Sequence, residues 1–389
     1  MVVYFRSRGA LWAVAGLVAG GILTVWNVAV VAPSYLSQYA VRNDFRLDYA
    51  AALVGLRDGY SHLYDLAAQQ RAILSLGTGF NPQPFISPPP LAWLATPFTV
   101  LPFTAALVLW TLLLLAALLW TWWLVSPGGR LARLAYLLLW LGLFPVAFGL
   151  LVGQPGAFVA AAVGTAWWLI KREKPVAAGL VLSLIVLKPQ LALLVPLCLL
   201  VAGRRRVFLS WLIASAVIGV IAVALLGVDG VSRYRDALAM TQGPAWDITR
   251  RYSISGPLGL GPVLTAAEAV VIVLACVAAW RARRQGPELP IAAGIAGSLL
   301  FSPYLGFQDL LMLVVAGWLV IRAGATVVQA AVLVVGYALL ELALPQLAVP
   351  TLLAEVCLLA TLVWSRRWDS NPRPATYEAA ALPAELRRR

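Results

Sequence analysis

The sequence predicts an all-α, polytopic membrane protein with about twelve transmembrane helices. Of its 389 residues, 62% are hydrophobic and only 12% are charged, about half the charged share of a soluble globular protein. The mean hydropathy is +0.87, and apolar runs alternate with short basic segments. These observations exclude an ordinary soluble enzyme, a disordered chain and a disulfide-stapled domain.

The first predicted span follows Arg6 and Arg8 and runs from about residue 9 to residue 32. It is longer than the apolar part of a signal peptide, so we predict a transmembrane helix with a cytoplasmic N-terminus. Eleven further spans are predicted at 103–125, 134–152, 156–170, 175–187, 190–203, 207–227, 257–280, 289–303, 308–322, 325–343 and 348–364. We expect residues 1–365 to form one transmembrane domain and residues 366–389 to form a disordered cytoplasmic tail.

Residues 33–102 form the longest polar insertion and are predicted to be the first outer loop. The stretches 44–60 and 63–76 have the composition of amphipathic helices near the membrane surface. The apolar piece 91–100 follows a proline-rich segment and is too short to span the bilayer. We therefore expect a re-entrant or interfacial segment there.

The net charge of +13 would suggest nucleic acid in a soluble protein, but the basic residues lie mainly in short loops between apolar runs. In the predicted topology, 20 of the 29 Lys and Arg residues are cytoplasmic, as the positive-inside rule requires. The unusual polar residues then face away from the cytoplasm. We expect a multi-pass protein of the cell membrane with both termini cytoplasmic and its chemistry outside.

Two outer segments carry the candidate catalytic and cationic groups. Asp44 and Asp48 are spaced i, i+4 and share a helical face. Asp44 is the candidate general base, and the alternative is a helix N-cap. Lys188, followed by Pro189 and Gln190, could bind a phosphate, or its side chain could extend to the membrane interface.

Two further outer segments carry candidate binding residues. Arg250 and Arg251, followed by Tyr252 and Ser253, could bind a phosphate through their guanidinium groups or contact lipid headgroups. The segment from Ser302 through Tyr304 to Asp309 places an ionisable group at a helix end. Asp309 could orient a substrate, hold Lys188 or an arginine, or cap the helix.

Other polar residues argue against several classes of site. The lone His62 excludes histidine-based metal sites and Ser-His-Asp triads. The three cysteines lie inside apolar runs without metal-ligand or redox spacing. We expect neither a metal nor a cofactor. Three glutamates in or near apolar runs would suit a proton-coupled transporter, but they form no repeated pattern: Glu268, Glu341 and Glu355.

Several short motifs, taken in order, resemble the polyprenol-phosphate-sugar-dependent glycosyltransferases of family 87. The similarity extends over roughly residues 10–365. The matching pieces are Asn43-Asp44-Phe45, Tyr49-Ala50-Ala51, Gly59 with Leu63-Tyr64-Asp65, Ser87-Pro88-Pro89-Pro90-Leu91, Gly153-Gln154, Leu187-Lys188-Pro189-Gln190, Tyr252-Ser253-Ile254-Ser255-Gly256, and Ser302-Pro303-Tyr304 with Asp309. Asp48 departs from the pattern, since similar sequences often carry tyrosine there.

The resemblance implies a helical bundle of the GT-C type with its active site on the outer face. It implies Asp44 as the catalytic base and Lys188, Gln190 and Asp309 as polar substrate positions. Gln154, from another shared motif, is also expected to bind substrate, and Asp48 is expected to bind sugar hydroxyls or a second cation. The expected reaction is inverting transfer of a mannose-like sugar from a polyprenyl-phosphate donor to a lipid or glycan hydroxyl. Membrane lipids are expected to contact the protein, and no nucleic acid partner is expected. A flippase for a lipid-linked precursor and a non-catalytic scaffold remain alternatives.

Overall fold

A computed structural model describes residues 9–33, 44–77, 83–342 and 348–364. The described residues are almost entirely helical and contain no strand, which confirms the all-α prediction. Arg6, Arg8 and the predicted tail at 366–389 lie outside them. The helices of seven residues or more are α1 (Gly9–Trp26), α2 (Phe45–Arg57), α3 (Leu66–Ser75), α4 (Pro89–Ala95), α5 (Phe103–Val125), α6 (Arg130–Gly142), α7 (Phe144–Val152), α8 (Gly156–Lys171), α9 (Pro175–Leu182), α10 (Leu194–Val201), α11 (Arg205–Met240), α12 (Pro262–Arg281), α13 (Glu288–Phe301), α14 (Leu311–Arg322), α15 (Val327–Glu341) and α16 (Ala348–Trp364).

Four helices in the described part of the chain are long and apolar enough to cross a membrane. They are α1, α5, α11 and α12, and a fifth span results if α6 and α7, bent by 58°, are taken together. The predicted count of about twelve spans is therefore not confirmed. One reason is that Lys188 and Pro189 interrupt the region of the predicted spans 175–187 and 190–203, where α9 and α10 have eight residues each.

α11 differs from its predicted span 207–227 because it continues to Met240. It is broken at Gly227, where φ is 63° and ψ is −174°, a backbone conformation that is essentially restricted to glycine. The part before this break has a length of about 30 Å, enough to cross the hydrocarbon core. The part after the break packs against residues 60–62, where Arg233 Nη1 donates to the carbonyl of Ser61 at 2.9 Å.

The predicted amphipathic stretches form α2 and α3, but α2 is not a surface helix. Ten of its thirteen residues are buried, including Arg46 and Asp48. The run Ala50-Ala51-Ala52 gives this helix small side chains, so neighbouring elements approach it closely from several sides. The predicted re-entrant piece contains α4 and a 3₁₀ turn at Thr96–Val100.

The bundle has two chemically different ends. α8 begins two residues after Gln154 and ends at Lys171, and α14 begins two residues after Asp309 and ends at Arg322. Each helix therefore separates its polar end from its basic end by about 20 Å. At the basic end, Lys171 pairs with Glu288 at 3.1 Å, and Arg322 donates to the carbonyls of Val125 and Ser126 at 2.6 and 2.8 Å. The buried helix α13 lies in the core between these ends.

Candidate active site

Four predicted residues from separate segments meet at the end of the bundle opposite these basic residues. Gln154 Nε2 donates a hydrogen bond to Asp44 Oδ2. Gln154 Oε1 accepts one from Lys188 Nζ at 2.5 Å, and Lys188 forms an ion pair with Asp309 Oδ1. We call Asp44, Gln154, Lys188 and Asp309 the polar cluster. In this cluster, the side-chain amide of Gln154 bridges the carboxylate of Asp44 and the ammonium of Lys188.

The position of Asp44 comes from its backbone rather than from a helix cap. Its N–H donates to the carbonyl of Val152 at 2.7 Å. The residue occupies the N-cap position of α2, but its side chain makes no capping hydrogen bond. The alternative of a simple N-cap is therefore not observed, and the partly buried carboxylate is directed to Gln154 instead.

The turn that presents Gln154 requires glycine at residue 153. Gly153 has φ of 75°, and a Cβ there would lie 2.7 Å from Phe45 Cβ. Trp110 Nε1 donates to the Gly153 carbonyl at 2.8 Å, and its indole stacks on Phe45 with centroids 4.6 Å apart. These contacts fix the turn against the start of α2, next to Asp44.

Lys188 does not extend to an interface, because its side chain is buried in the ion pair with Asp309. It lies between two short 3₁₀ turns, Ser183–Leu187 and Pro189–Leu191. Asp309 also has the capping role considered from the sequence, since its Oδ2 accepts from the Gly306 N–H at 3.2 Å. The two carboxylate oxygens of Asp309 therefore have different partners: Oδ2 orders the turn at Gly306, and Oδ1 pairs with Lys188.

Burial dominates the electrostatics of the two aspartates of α2. It raises the pKa of Asp44, while the Gln154 hydrogen bond and the charge of Lys188 oppose that rise. Burial raises the pKa of Asp48 well above its ordinary value, and the nearby charge of Asp44 adds to the rise. Asp48 is only 4% exposed, so Asp44 is the better placed of the two for contact with a substrate.

Three tyrosines lie beside the polar cluster, and the sequence singled out only Tyr304 as a site residue. Burial raises the pKa of Tyr304, nearby Tyr234 and Asp309 raise it further, and a hydrogen bond with Gln190 opposes the rise. Tyr234 stacks on Tyr64 with centroids 4.4 Å apart. Tyr64 belongs to a motif that carried the family resemblance, whereas no local signal marks Tyr234, which follows the break at Gly227 in a long apolar helix.

The loop after α11 holds Arg250 in a structural network. Its guanidinium donates to the carbonyls of Thr241 and Gly243 at 2.7 and 3.3 Å and pairs with Asp247. Because these groups engage Nη1 and Nη2 of a buried side chain, the arrangement favours ordering of the loop over binding of a phosphate. The predicted phosphate role of Arg250 has no support in this geometry.

Arg251 is exposed and differs from its neighbour. It lines an open cavity of about 540 Å³ together with Asp247 and Ser255. Ser253 contacts Ser255 through their hydroxyls at 2.7 Å, and Tyr252 is buried near Phe307. These residues are therefore close to the loop that precedes Asp309.

Two backbone hydrogen bonds join the 249–254 segment to the 300–305 segment. The Ile254 N–H donates to the Leu300 carbonyl at 3.2 Å, and the Leu305 N–H donates to the Thr249 carbonyl at 2.5 Å. Ser302 Oγ donates to the Tyr304 carbonyl within the second segment. The predicted residues after α11 thus form the wall beside Tyr304, while Ser302 shapes the turn itself.

Within the described ranges, no group of three or more His, Cys, Asp or Glu side chains has the arrangement of a metal site. The polar cluster instead offers a partly exposed carboxylate as a proton acceptor and an ammonium as a partner for negative charge. Such a pair suits transfer reactions in which a hydroxyl loses a proton while an anionic group departs.

Comparison with known proteins identifies the family. The model of glycosyltransferase family 87 matches residues 85–303, more than half of the chain. The matched part contains Gln154, Lys188 and Gln190, whereas Asp44 precedes it and Asp309 follows it. No curated protein and no solved structure matches the chain. The apolar helices and this match together show that the chain belongs to glycosyltransferase family 87 and is a membrane protein.

Proposed function

We propose that this protein transfers a mannose-like sugar from a polyprenyl-phosphate donor to a lipid or glycan hydroxyl at the non-cytoplasmic face of the cell membrane. The observation that carries the proposal is the polar cluster, in which one amide joins Asp44 to Lys188. A glycosyltransferase needs a proton acceptor for the attacking hydroxyl and a stabiliser for the leaving group. Asp44 and Lys188 supply these two functions.

In the proposed step, Asp44 takes the proton of the acceptor hydroxyl while the acceptor oxygen forms a bond to the anomeric carbon. The bond between that carbon and the phosphate oxygen breaks on the opposite side, and the polyprenyl phosphate departs with the electron pair. This displacement inverts the anomeric configuration. The charge of Lys188 is proposed to stabilise the departing phosphate.

The surrounding residues are proposed to bind the sugar. Gln190 and Tyr304 present an amide and a phenol beside the polar cluster, and the stacked pair Tyr64 and Tyr234 adds an aromatic surface. Polar groups with aromatic faces are the usual means of holding sugar rings. Arg251 is proposed to contact phosphate or lipid headgroups from the adjoining loop.

The proposed non-cytoplasmic position of the polar cluster is based on the distribution of basic residues. The polar cluster lies at the opposite end of α8 and α14 from Lys171 and Arg322, and basic residues favour the cytoplasmic side. A transporter is the weaker alternative because the intramembrane glutamates do not converge on one pathway. Glu341 accepts from the Phe144 N–H at 2.9 Å, and the carboxylate of Glu355 has no hydrogen-bond partner within the described chain.

The decisive experiment measures transfer of radiolabelled mannose from polyprenyl-phosphate mannose in proteoliposomes that contain a membrane lipid extract as acceptor. We expect Asp44→Asn to lower the rate by about 10²-fold or more, as removal of a general base does. The matched control is Asp58→Asn, which changes an exposed carboxylate at the other end of α2. Equal rates for Asp44→Asn and the wild type would remove Asp44 from the base role, and movement of intact donor across the bilayer without transfer would favour a flippase.

A further inference from the structure

Asp48 is a buried carboxyl group one helical turn after the proposed base. The i, i+4 spacing places Asp44 and Asp48 on the same face of α2. Asp48 is 4% exposed, and its Oδ2 accepts no hydrogen bond from any described residue. Asp44, in contrast, is partly exposed and receives the Gln154 hydrogen bond. The two carboxyl groups are therefore neighbours that differ in exposure and in hydrogen bonding.

Among the described residues, the cation that acts on both carboxyl groups is Lys188. It is already paired with Asp309. α2 itself also carries Arg46 and Arg57.

The elements packed against α2 add little further charge. The turn at 60–62 carries His62, and α3 carries Arg71, which is exposed and lies 3.8 Å from Asp58. α4, the following 3₁₀ turn and α5 carry no charged residue. In such surroundings, ionisation of one carboxyl group disfavours ionisation of its neighbour.

We propose that Asp44 and Asp48 together hold one proton at the pH of transfer, with the proton on Asp48 and the negative charge on Asp44. The hydrogen bond from Gln154 favours the charge on Asp44, whereas Asp48 Oδ2 has no described donor to stabilise a charge. This role rests on the proposed function only in making Asp44 the base. Asp48 is a positioning residue, because it acts through Asp44 and not through the substrate.

The protonated Asp48 has a consequence for the transfer step. Asp44 accepts the hydroxyl proton, the new bond to the anomeric carbon forms, and the phosphate leaves with its electron pair. Asp48 keeps its proton throughout. If Asp48 also ionised, a second negative charge would lie beside the departing phosphate and would oppose its accumulation of charge.

Infrared difference spectroscopy on the protein in lipid, without substrate, tests the protonation state directly. At neutral pH we expect a protonated carboxyl band in the wild type and in Asp58→Asn that is missing from Asp48→Asn. The wild type alone provides a second test, since the same band should disappear at alkaline pH. Equal band intensity in the wild type and Asp48→Asn would overturn the proposal, whether or not any transfer activity is found.

The pH dependence of transfer supplies an independent test. We expect Asp48→Asn, in which an amide replaces a neutral acid of similar shape, to keep a rate at neutral pH within about fivefold of the wild type. The wild type should lose rate at alkaline pH as the second proton leaves the pair, and Asp48→Asn should not. A folded Asp48→Asn protein as inactive as Asp44→Asn at every pH would instead make Asp48 the base and refute the assignment. Failure of every protein to transfer sugar would refute the proposed function and leave the infrared result standing.

Discussion

At the scale of single residues, Gln154 joins the proposed base to the proposed cation. Its side chain contacts Asp44 at a sequence separation of 110 residues and Lys188 at a separation of 34. An amide can donate to a carboxylate and accept from an ammonium at the same time. It therefore sets the spacing between the two charges without adding a charge of its own.

The ion pair of Lys188 and Asp309 leads to a prediction on stability. Lys188→Met leaves the carboxylate of Asp309, which is 2% exposed, without its cation, and breaking a buried pair in this way costs about 3–5 kcal/mol. We expect a clear drop in the unfolding temperature of the purified protein, and recovery of part of it in the double variant Lys188→Met/Asp309→Asn. A double variant as unstable as the sum of the two single variants would show that the pair is not coupled.

The raised pKa of Asp48 predicts how stability changes with pH. The folded state binds a proton that the unfolded state releases above the ordinary pKa of 3.8, so stability falls as the pH rises from that value toward the folded-state pKa. We expect the unfolding temperature of the wild type to fall more steeply over this window than that of Asp48→Asn. Thermal unfolding at a series of pH values measures this difference, with Asp58→Asn expected to follow the wild type; identical slopes for all three proteins would contradict it.

At the scale of elements, the sequence predicted the short polar segments better than the helices between them. The residues of the polar cluster were each recognised because a polar group in an apolar chain is costly unless it has a partner or a function. The pairing of Asp309 with Lys188 was one of the possibilities considered from the sequence. The contacts of Gln154 with Asp44 and Lys188 were not predictable, because they depend on how separate segments pack. The predicted spans differ from the helices mainly where helices bend, as between α6 and α7 inside the predicted span 134–152. The predicted end at residue 227 coincides with the break in α11 at Gly227.

The same limit explains why Tyr234 was missed. It lies seven residues after Gly227, in a segment that was predicted to be part of an outer loop at 228–256 but is helical to Met240. After the break at Gly227, this segment contacts residues 61 and 64 through Arg233 and Tyr234. The burial of α2 was missed for a related reason, because its polar residues indicate a surface while its neighbours cover that surface.

The turn at Gly153 leads to a prediction for one element. Gly153→Ala introduces a Cβ where φ is 75° and where Phe45 Cβ would be 2.7 Å away, so the turn must shift. We expect lower stability by about 1–3 kcal/mol, as overpacking costs, and a transfer rate that falls because Gln154 moves from Asp44. The control is Gly129→Ala, since a Cβ there meets nothing within 4 Å and φ is −78°; equal effects of the two variants would argue against a special role for the turn.

At the scale of the whole molecule, the fold separates two kinds of cation. Lys171 and Arg322 lie at one end in contacts that join helices, while Lys188 and Arg251 lie at the end that carries the polar cluster. The basic end fits the cytoplasmic side of a membrane. At the polar end, Lys188 occupies a buried position and Arg251 lines a cavity.

This polarity predicts which residues an impermeant thiol reagent can reach. In a background with Cys198, Cys276 and Cys357 replaced by alanine, we expect Arg251→Cys to be labelled from outside intact cells. Lys174→Cys, at an exposed position after α8, should be labelled only after permeabilisation. The opposite pattern would place the polar cluster in the cytoplasm and would contradict a non-cytoplasmic reaction.

Under the proposed function, Asp309 competes with the donor phosphate for Lys188, because the two already form an ion pair. Any phosphate that approaches Lys188 must share the ammonium with the carboxylate of Asp309, which is attached to the same chain and is never diluted. That competition weakens binding of the polyprenyl-phosphate product as well as of the sugar donor, because both present a phosphate to Lys188. Turnover would then be limited less by escape of this product than in a site where the lysine waits without a partner.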